Sequence, residues 1–229
     1  MDLFDPSNPN LLVNFSFWFA TAMMLASTVF FLLERNDVST KWKTSLTVAS
    51  LVTGIAFWHY LYMANYFFDT GNSPLVLRYV DWLITVPLQI VEFYLILTAV
   101  TKVKASLFWK LLTASLVMLI FGFFGEAGLM SRMPAFTIGM LGWFAVLYLI
   151  FFGEAANIND SSGNKSGQFA FKALRFIVLI GWSIYPIGYY INGAGSDPAL
   201  TNIIYNFADL VNKAAFGLVI WVAAKSDSK

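Results

Sequence analysis

Seven apolar runs alternate with short polar breaks along this chain of 229 residues. The runs fall near 11–33, 43–67, 75–99, 106–128, 134–153, 169–192 and 199–223. Each approaches or exceeds the roughly 20 residues that a helix needs to cross a bilayer. The breaks read ERNDVSTK, DTGNSP, TKVK, SRMP, EAANINDSSGNKSG and NGAGSDP, rich in the residues that end helices. The pattern predicts an all-α membrane protein, a single seven-helix transmembrane domain over residues 1–229. Segment 154–168 is the longest break and is expected to be the most mobile connection.

Composition agrees: 59% of residues are hydrophobic and 12% charged, where a soluble domain carries about a quarter charged. With no cysteine, disulfides and thiolate metal sites are excluded; no metal site is expected. A net charge of +1 gives no sign of a nucleic-acid partner. Lysine and arginine add a direction. Eleven of them (Arg35, Lys41, Lys43, Lys102, Lys104, Lys110, Lys165, Lys172, Arg175, Lys225 and Lys229) flank one side, and Arg132 alone flanks the other. The positive-inside bias predicts an outer N-terminus and a cytoplasmic C-terminus. The start, MDLFDPSNPN, is acidic and polar and does not read as a signal peptide. Trp18, Trp42, Trp109 and Trp221 are candidate interfacial anchors.

Two basic residues, Arg78 and Lys213, fall inside spans. A charge within a membrane segment marks a functional position that needs a partner. Asp209 and Lys213 are four residues apart, so they stack on one helix face. Lys213 is either half of a self-neutralising ion pair or a desolvated nucleophile that holds a carbonyl cofactor as a Schiff base. Span three reads RYVDWLITVPLQIVEFY over 78–94. Arg78 lies three residues before Asp81, and Thr85 one turn after it. Asp81 and Glu92 are eleven apart; eleven steps of about 100° return to within about 20° of the same face, roughly 16 Å along the axis. Glu92, among Ile90, Val91 and Phe93, has an apolar setting that favours the protonated acid, whereas Arg78 favours ionised Asp81. In the orientation above, this is an inner proton donor, a central site and an outer acceptor.

The pattern R-Y-x-D-W-x-x-T-x-P-L, with Glu92 beyond it, resembles the third helix of the microbial (type 1) rhodopsins. D-x-x-x-K at 209–213 is similar to their retinal-attachment segment, and W-S-x-Y-P at 182–186 to their pocket motif. FWHYLYM at 57–63, GEAG at 125–128 and Y-N-x-A-D-x-x-N-K at 205–213 resemble the proteorhodopsin group, and the likeness covers all seven spans. It implies all-trans retinal covalently attached to Lys213 as a protonated Schiff base. Asp81 is then the counterion and proton acceptor, Asp209 the second carboxylate, Arg78 an outer-half charge and Glu92 the proton donor. Asp81, Thr85 and Glu92 follow the family's proton-pump pattern; its sodium pumps carry Asn, Asp and Gln there, and its chloride pumps lack the acceptor Asp.

The single histidine, His59, would read alone as a core residue. It matches the family histidine that pairs with the acceptor aspartate and sets its proton affinity, which implies pH-dependent pumping. That histidine also contacts a neighbouring protomer, implying a homo-pentamer or homo-hexamer. Tyr79, Trp82, Thr85, Met118, Gly122, Trp143, Trp182, Tyr185 and Pro186 match retinal-pocket positions, though each alone reads as core packing. Tyr60 and Tyr205 are further candidates. Glu126, near the outer end of span four, belongs to a release route or to solvent. Gly139 and Gly142 read as helix-packing contacts.

Gln89, four residues after Thr85 and seven after Trp82, is expected to reach the polyene and tune its colour. Leucine at this place goes with green absorption in proteorhodopsins and glutamine with blue, so the resemblance implies a blue-absorbing pigment. The implied function is a light-driven outward proton pump in a bacterial inner membrane, with lipid and protons as partners. Two alternatives stand beside it. One is a slow photosensor signalling to a partner, against which Glu92 argues. The other is a seven-helix receptor or transporter without chromophore, in which Lys213 is only an ion-pair partner.

Overall fold

The computed structural model describes residues 5–193, 195 and 197–229; four residues of the acidic start and two within NGAGSDP lie outside the described set. Seven helices are long and apolar enough to cross a membrane: α1 Leu11–Asp37, α2 Thr40–Thr70, α3 Leu75–Val100, α4 Ala105–Glu126, α5 Arg132–Ser161, α6 Lys165–Gly193 and α7 Pro198–Ser226. No strand occurs among the described residues. Most helices overrun their apolar stretch by a few polar residues, because continuing the helix pairs backbone groups that would otherwise need new partners. α2 stops on Gly71, at φ +67°, a left-handed cap that suits glycine.

The break expected to be mobile is largely helical. α5 is interrupted at Phe152 and Gly153, whose amides both turn back to the Tyr148 carbonyl at 2.9 and 2.7 Å. It resumes as Glu154–Ser161, with Ala155, Ala156 and Asn159 buried against α3 and α6. Only residues 162–164 remain between α5 and α6.

α3 runs through the centre against α2, α4 and α6, and α7 closes the bundle against α1, α2 and α6. α4 and α5 approach closely at two glycines. A Cβ on Gly142 would lie 2.7 Å from the Ala114 carbonyl oxygen, and one on Gly139 would lie 3.2 Å from that of Met118. Both are helix contacts, as small residues in membrane helices commonly are.

Two stretches wind as π-helix, Ile177–Gly181 in α6 and Leu210–Ala215 in α7. A π turn departs from the regular i→i+4 ladder and often marks a functional site. Asn212 joins the two: its Nδ2 donates to the Gly181 carbonyl at 2.9 Å. Among the tryptophans, Trp18 and Trp109 are exposed, as an interfacial anchor requires. Trp42 instead is fully buried and donates to Asp227 Oδ2 at 2.8 Å.

Candidate functional site

Lys213 sits on the π-helical part of α7 and is buried. Its Nζ donates to Asp81 from α3 and to Asp209 Oδ2, one turn back, at 2.9 Å. The two carboxylates differ in what else holds them. Asp209 also accepts from Tyr60 Oη at 2.9 Å, Tyr185 Oη at 2.6 Å and Trp82 Nε1 at 3.1 Å. Among the described residues, the Asp81 carboxylate has the lysine and His59, whose Nδ1 lies 3.3 Å from Asp81 Oδ1. The Thr85 hydroxyl donates to the Asp81 main-chain carbonyl at 3.0 Å, not to its carboxylate. Three neutral donors thus converge on Asp209, and none of the three reaches the Asp81 carboxylate.

Arg78, expected near Asp81, turns to other partners. It is fully buried, and Nη2 donates to Asn202 Oδ1 at 2.7 Å and to Asn206 Oδ1 at 3.0 Å. No carboxylate lies within 4.0 Å of it among the described residues. Long helical side chains lean toward the helix N-terminus, which carries Arg78 away from Asp81, a turn further on. The sequence reading missed Asn202 and Asn206. Their signal was an i, i+4 pair of amides leading to Asp209 on one face of an apolar helix. Tyr60, a minor candidate, is a direct partner of Asp209.

Glu92 lies toward the other end of α3, buried, with Ser45 of α2 as its polar neighbour. Glu126, at the end of α4, is half-buried and not left to solvent: Tyr79 Oη donates to its Oε2 at 2.8 Å and Asn192 Nδ2 to its Oε1 at 3.4 Å.

A cavity opens within the bundle, and Lys213 itself is not on its wall. Tyr79, Trp82, Met118, Gly122, Trp143, Trp182, Tyr185 and Pro186 line it, joined by Val86, Phe136, Gly139, Met140, Tyr189, Tyr205 and Glu126. Thr85 and Gln89 are not on its wall. Gln89 is buried and donates to the main-chain carbonyl of Asn212 instead. A buried amide must find an acceptor, and the π segment of α7 presents one. Trp82 and Tyr185, which wall the cavity, also bond Asp209, so the cavity abuts the lysine's ion pair. An aromatic-walled, apolar space next to a buried primary amine and two carboxylates fits a long apolar carbonyl compound whose bound nitrogen is cationic.

Residues 11–226 match the family described as bacteriorhodopsin-like protein. The chain is 54% identical over 216 residues to the green-light absorbing proteorhodopsin of Gamma-proteobacterium EBAC31A08, covering 93% of this chain and 86% of that protein. It is 55% identical over 220 residues to the blue-light absorbing proteorhodopsin of Gamma-proteobacterium Hot 75m4, covering 94% and 87%. The crystal structure of blue light-absorbing proteorhodopsin from Med12 superposes with a TM-score of 0.82 at 56% identity, covering 94% of this chain and 98% of that one.

Proposed function

The chain belongs to the bacteriorhodopsin-like family, close to the proteorhodopsins, and we propose that it is a light-driven outward proton pump that absorbs blue light. Lys213 would hold retinal as a protonated Schiff base, and the group would supply light capture and a proton whose hold changes on illumination. The chain's residues do the rest. Asp209, held by Tyr60, Tyr185 and Trp82, remains an anion and fixes the direction of the lysine. Asp81 takes up the proton, and His59, 3.3 Å away, sets how readily it does so. Arg78, anchored on Asn202 and Asn206, keeps a fixed positive charge beyond Asp81 that opposes return of a proton from that side. Glu92, in its dry setting on the other side, resupplies the centre. Glu126, tied to Tyr79, serves the exit.

The observation that carries this reading is the Lys213 ammonium clamped between two carboxylates, only one of which has a histidine beside it. Relatives of both colours match almost equally, at 54% and 55% identity, so the blue reading rests on Gln89. The protein is further proposed to lie in the bacterial inner membrane with its C-terminus cytoplasmic, as a homo-pentamer or homo-hexamer. Trp58 and Tyr62, exposed on either side of His59, offer that contact.

Adding all-trans retinal to the purified apoprotein should produce a visible band in the blue. Illuminating a cell suspension that makes the pigment should acidify the medium, and an uncoupler should abolish the effect. A band without acidification would replace the pump by a photosensor; no band would remove both.

A further inference from the structure

Gln89 does not touch the cavity, yet it touches the peptide that carries Lys213. Its Nε2 donates to the carbonyl of Asn212, the residue just before the lysine and inside the π segment Leu210–Ala215. Asn212 is itself a junction. Its Nδ2 donates to the Gly181 carbonyl at 2.9 Å, in the facing π segment of α6, and to Tyr185 Oη at 3.2 Å. Tyr185 Oη in turn donates to Asp209 Oδ1 at 2.6 Å. Glycine at 181 is part of the joint, because a Cβ there would run into the Asn212 side chain. Gln89 and Asn212 are each about 1% exposed, so no water replaces these bonds without reorganising the core.

We propose that Gln89 acts on the chromophore site from the lysine end, through Asn212, and that Asn212 is a positioning residue for both Lys213 and Asp209. Resting on the reading of Lys213 as the attachment point, this route runs through the peptide backbone beside the attachment nitrogen. A donor on the Asn212 carbonyl polarises the Asn212–Lys213 peptide and fixes the pose of the π turn. The Asn212 side chain then passes that pose to Tyr185, and so to the anion facing the lysine. A leucine at 89 removes that donor, which alters the distance and direction of Asp209 relative to the nitrogen.

The test uses the full chain in lipid vesicles. Labelling asparagine at the carbonyl with 13C and lysine with 15N marks only two peptide bonds, Asn164–Lys165 and Asn212–Lys213, and a Lys165→Arg variant identifies the first. In solid-state NMR, Gln89→Leu should move the Asn212 carbonyl resonance and leave that of Asn164 in place, with or without retinal. In the pigment, the colour shift caused by Gln89→Leu should fall to less than half its size in an Asn212→Ala background. An unmoved Asn212 carbonyl, or a full-sized colour shift in that background, overturns the proposal. Should Asn212→Ala fail to fold, the carbonyl measurement decides alone. Failure of the underlying reading looks different: no visible band forms on adding retinal, while the carbonyl resonance remains measurable.

Discussion

At the scale of single residues, the two carboxylates around Lys213 predict opposite behaviour on substitution. Asp81→Asn removes the anion that, among the described residues, has the lysine and His59 as side-chain partners. A negative charge near the nitrogen stabilises the ground state, so its loss should move the absorption band to longer wavelength. An absorption spectrum of the retinal-bound variant reads that shift directly. Asp209→Asn leaves three donors aimed at a neutral amide, and removing one partner of a buried charge network destabilises by about 3–5 kcal/mol. Its expected signature is a loss of thermal stability and pigment yield more than a change of colour. Lys213→Ala should form no covalent pigment with retinal; a stable band of wild-type position would refute the attachment.

The sequence made these three legible because span three and span seven place charges where an apolar helix tolerates few, and because Asp209 and Lys213 share a face. The partners of Arg78 and Gln89 were not legible, for a common reason. Spacing fixes which face a residue is on, not where a long side chain ends. Arg78 reaches back toward the start of α3 and finds Asn202 and Asn206; Gln89 reaches across to a carbonyl that no residue pattern announces.

At the scale of helices, the close approach of α4 and α5 rests on Gly142. A Cβ there would lie 2.7 Å from the Ala114 oxygen and 2.8 Å from the Met118 nitrogen, both main-chain atoms that cannot step aside. Gly142→Ala should therefore separate the pair at a cost of about 1–3 kcal/mol. Because Met118 and Gly139 also line the cavity, it should also slow the uptake of added retinal, measured as the growth of the visible band. Helix existence was readable from the apolar runs alone. The winding within the helices was not: IVLIG and LVNKAA look like ordinary helical sequence, and their π geometry comes from how α6 and α7 meet around Asn212.

At the scale of the whole molecule, Asp227 ties three segments together at the C-terminal end of the bundle. Asp227 receives Lys41 Nζ at 2.5 Å, Trp42 Nε1 at 2.8 Å and Asn164 Nδ2 at 2.8 Å. It thereby joins the start of α2, the turn before α6 and the end of α7. Its partial burial disfavours the charge, but the Lys41, Trp42 and Asn164 donors outweigh that and hold the carboxyl below its usual range. A depressed carboxyl contributes stability that is complete above its unfolded value, near 3.9, and is lost as the pH falls through the lower folded value. The clasp should thus be intact at neutral pH and fail only in strong acid. Asp227→Asn should lower the melting temperature at pH 7 by roughly 2 °C and leave a smaller acid-dependent loss than the parent shows. Nothing in the apolar pattern announced this clasp; Trp42 looked like a membrane anchor because a tryptophan near a span end usually is one.

The π turn in α7 also makes chain length, and not only chemistry, a condition of the site. Deleting Val211, which is exposed and bonds nothing described above, would bring Asp209 and Lys213 to three residues apart. It would take the extra residue out of the π turn and let α7 wind as regular helix there. Lys213 would then meet Asp81 and Asp209 in a changed pose while every side chain of the site was still encoded. A loss of one codon at 211 should therefore be as damaging as replacing the lysine itself, whereas Val211→Leu should pass almost unnoticed.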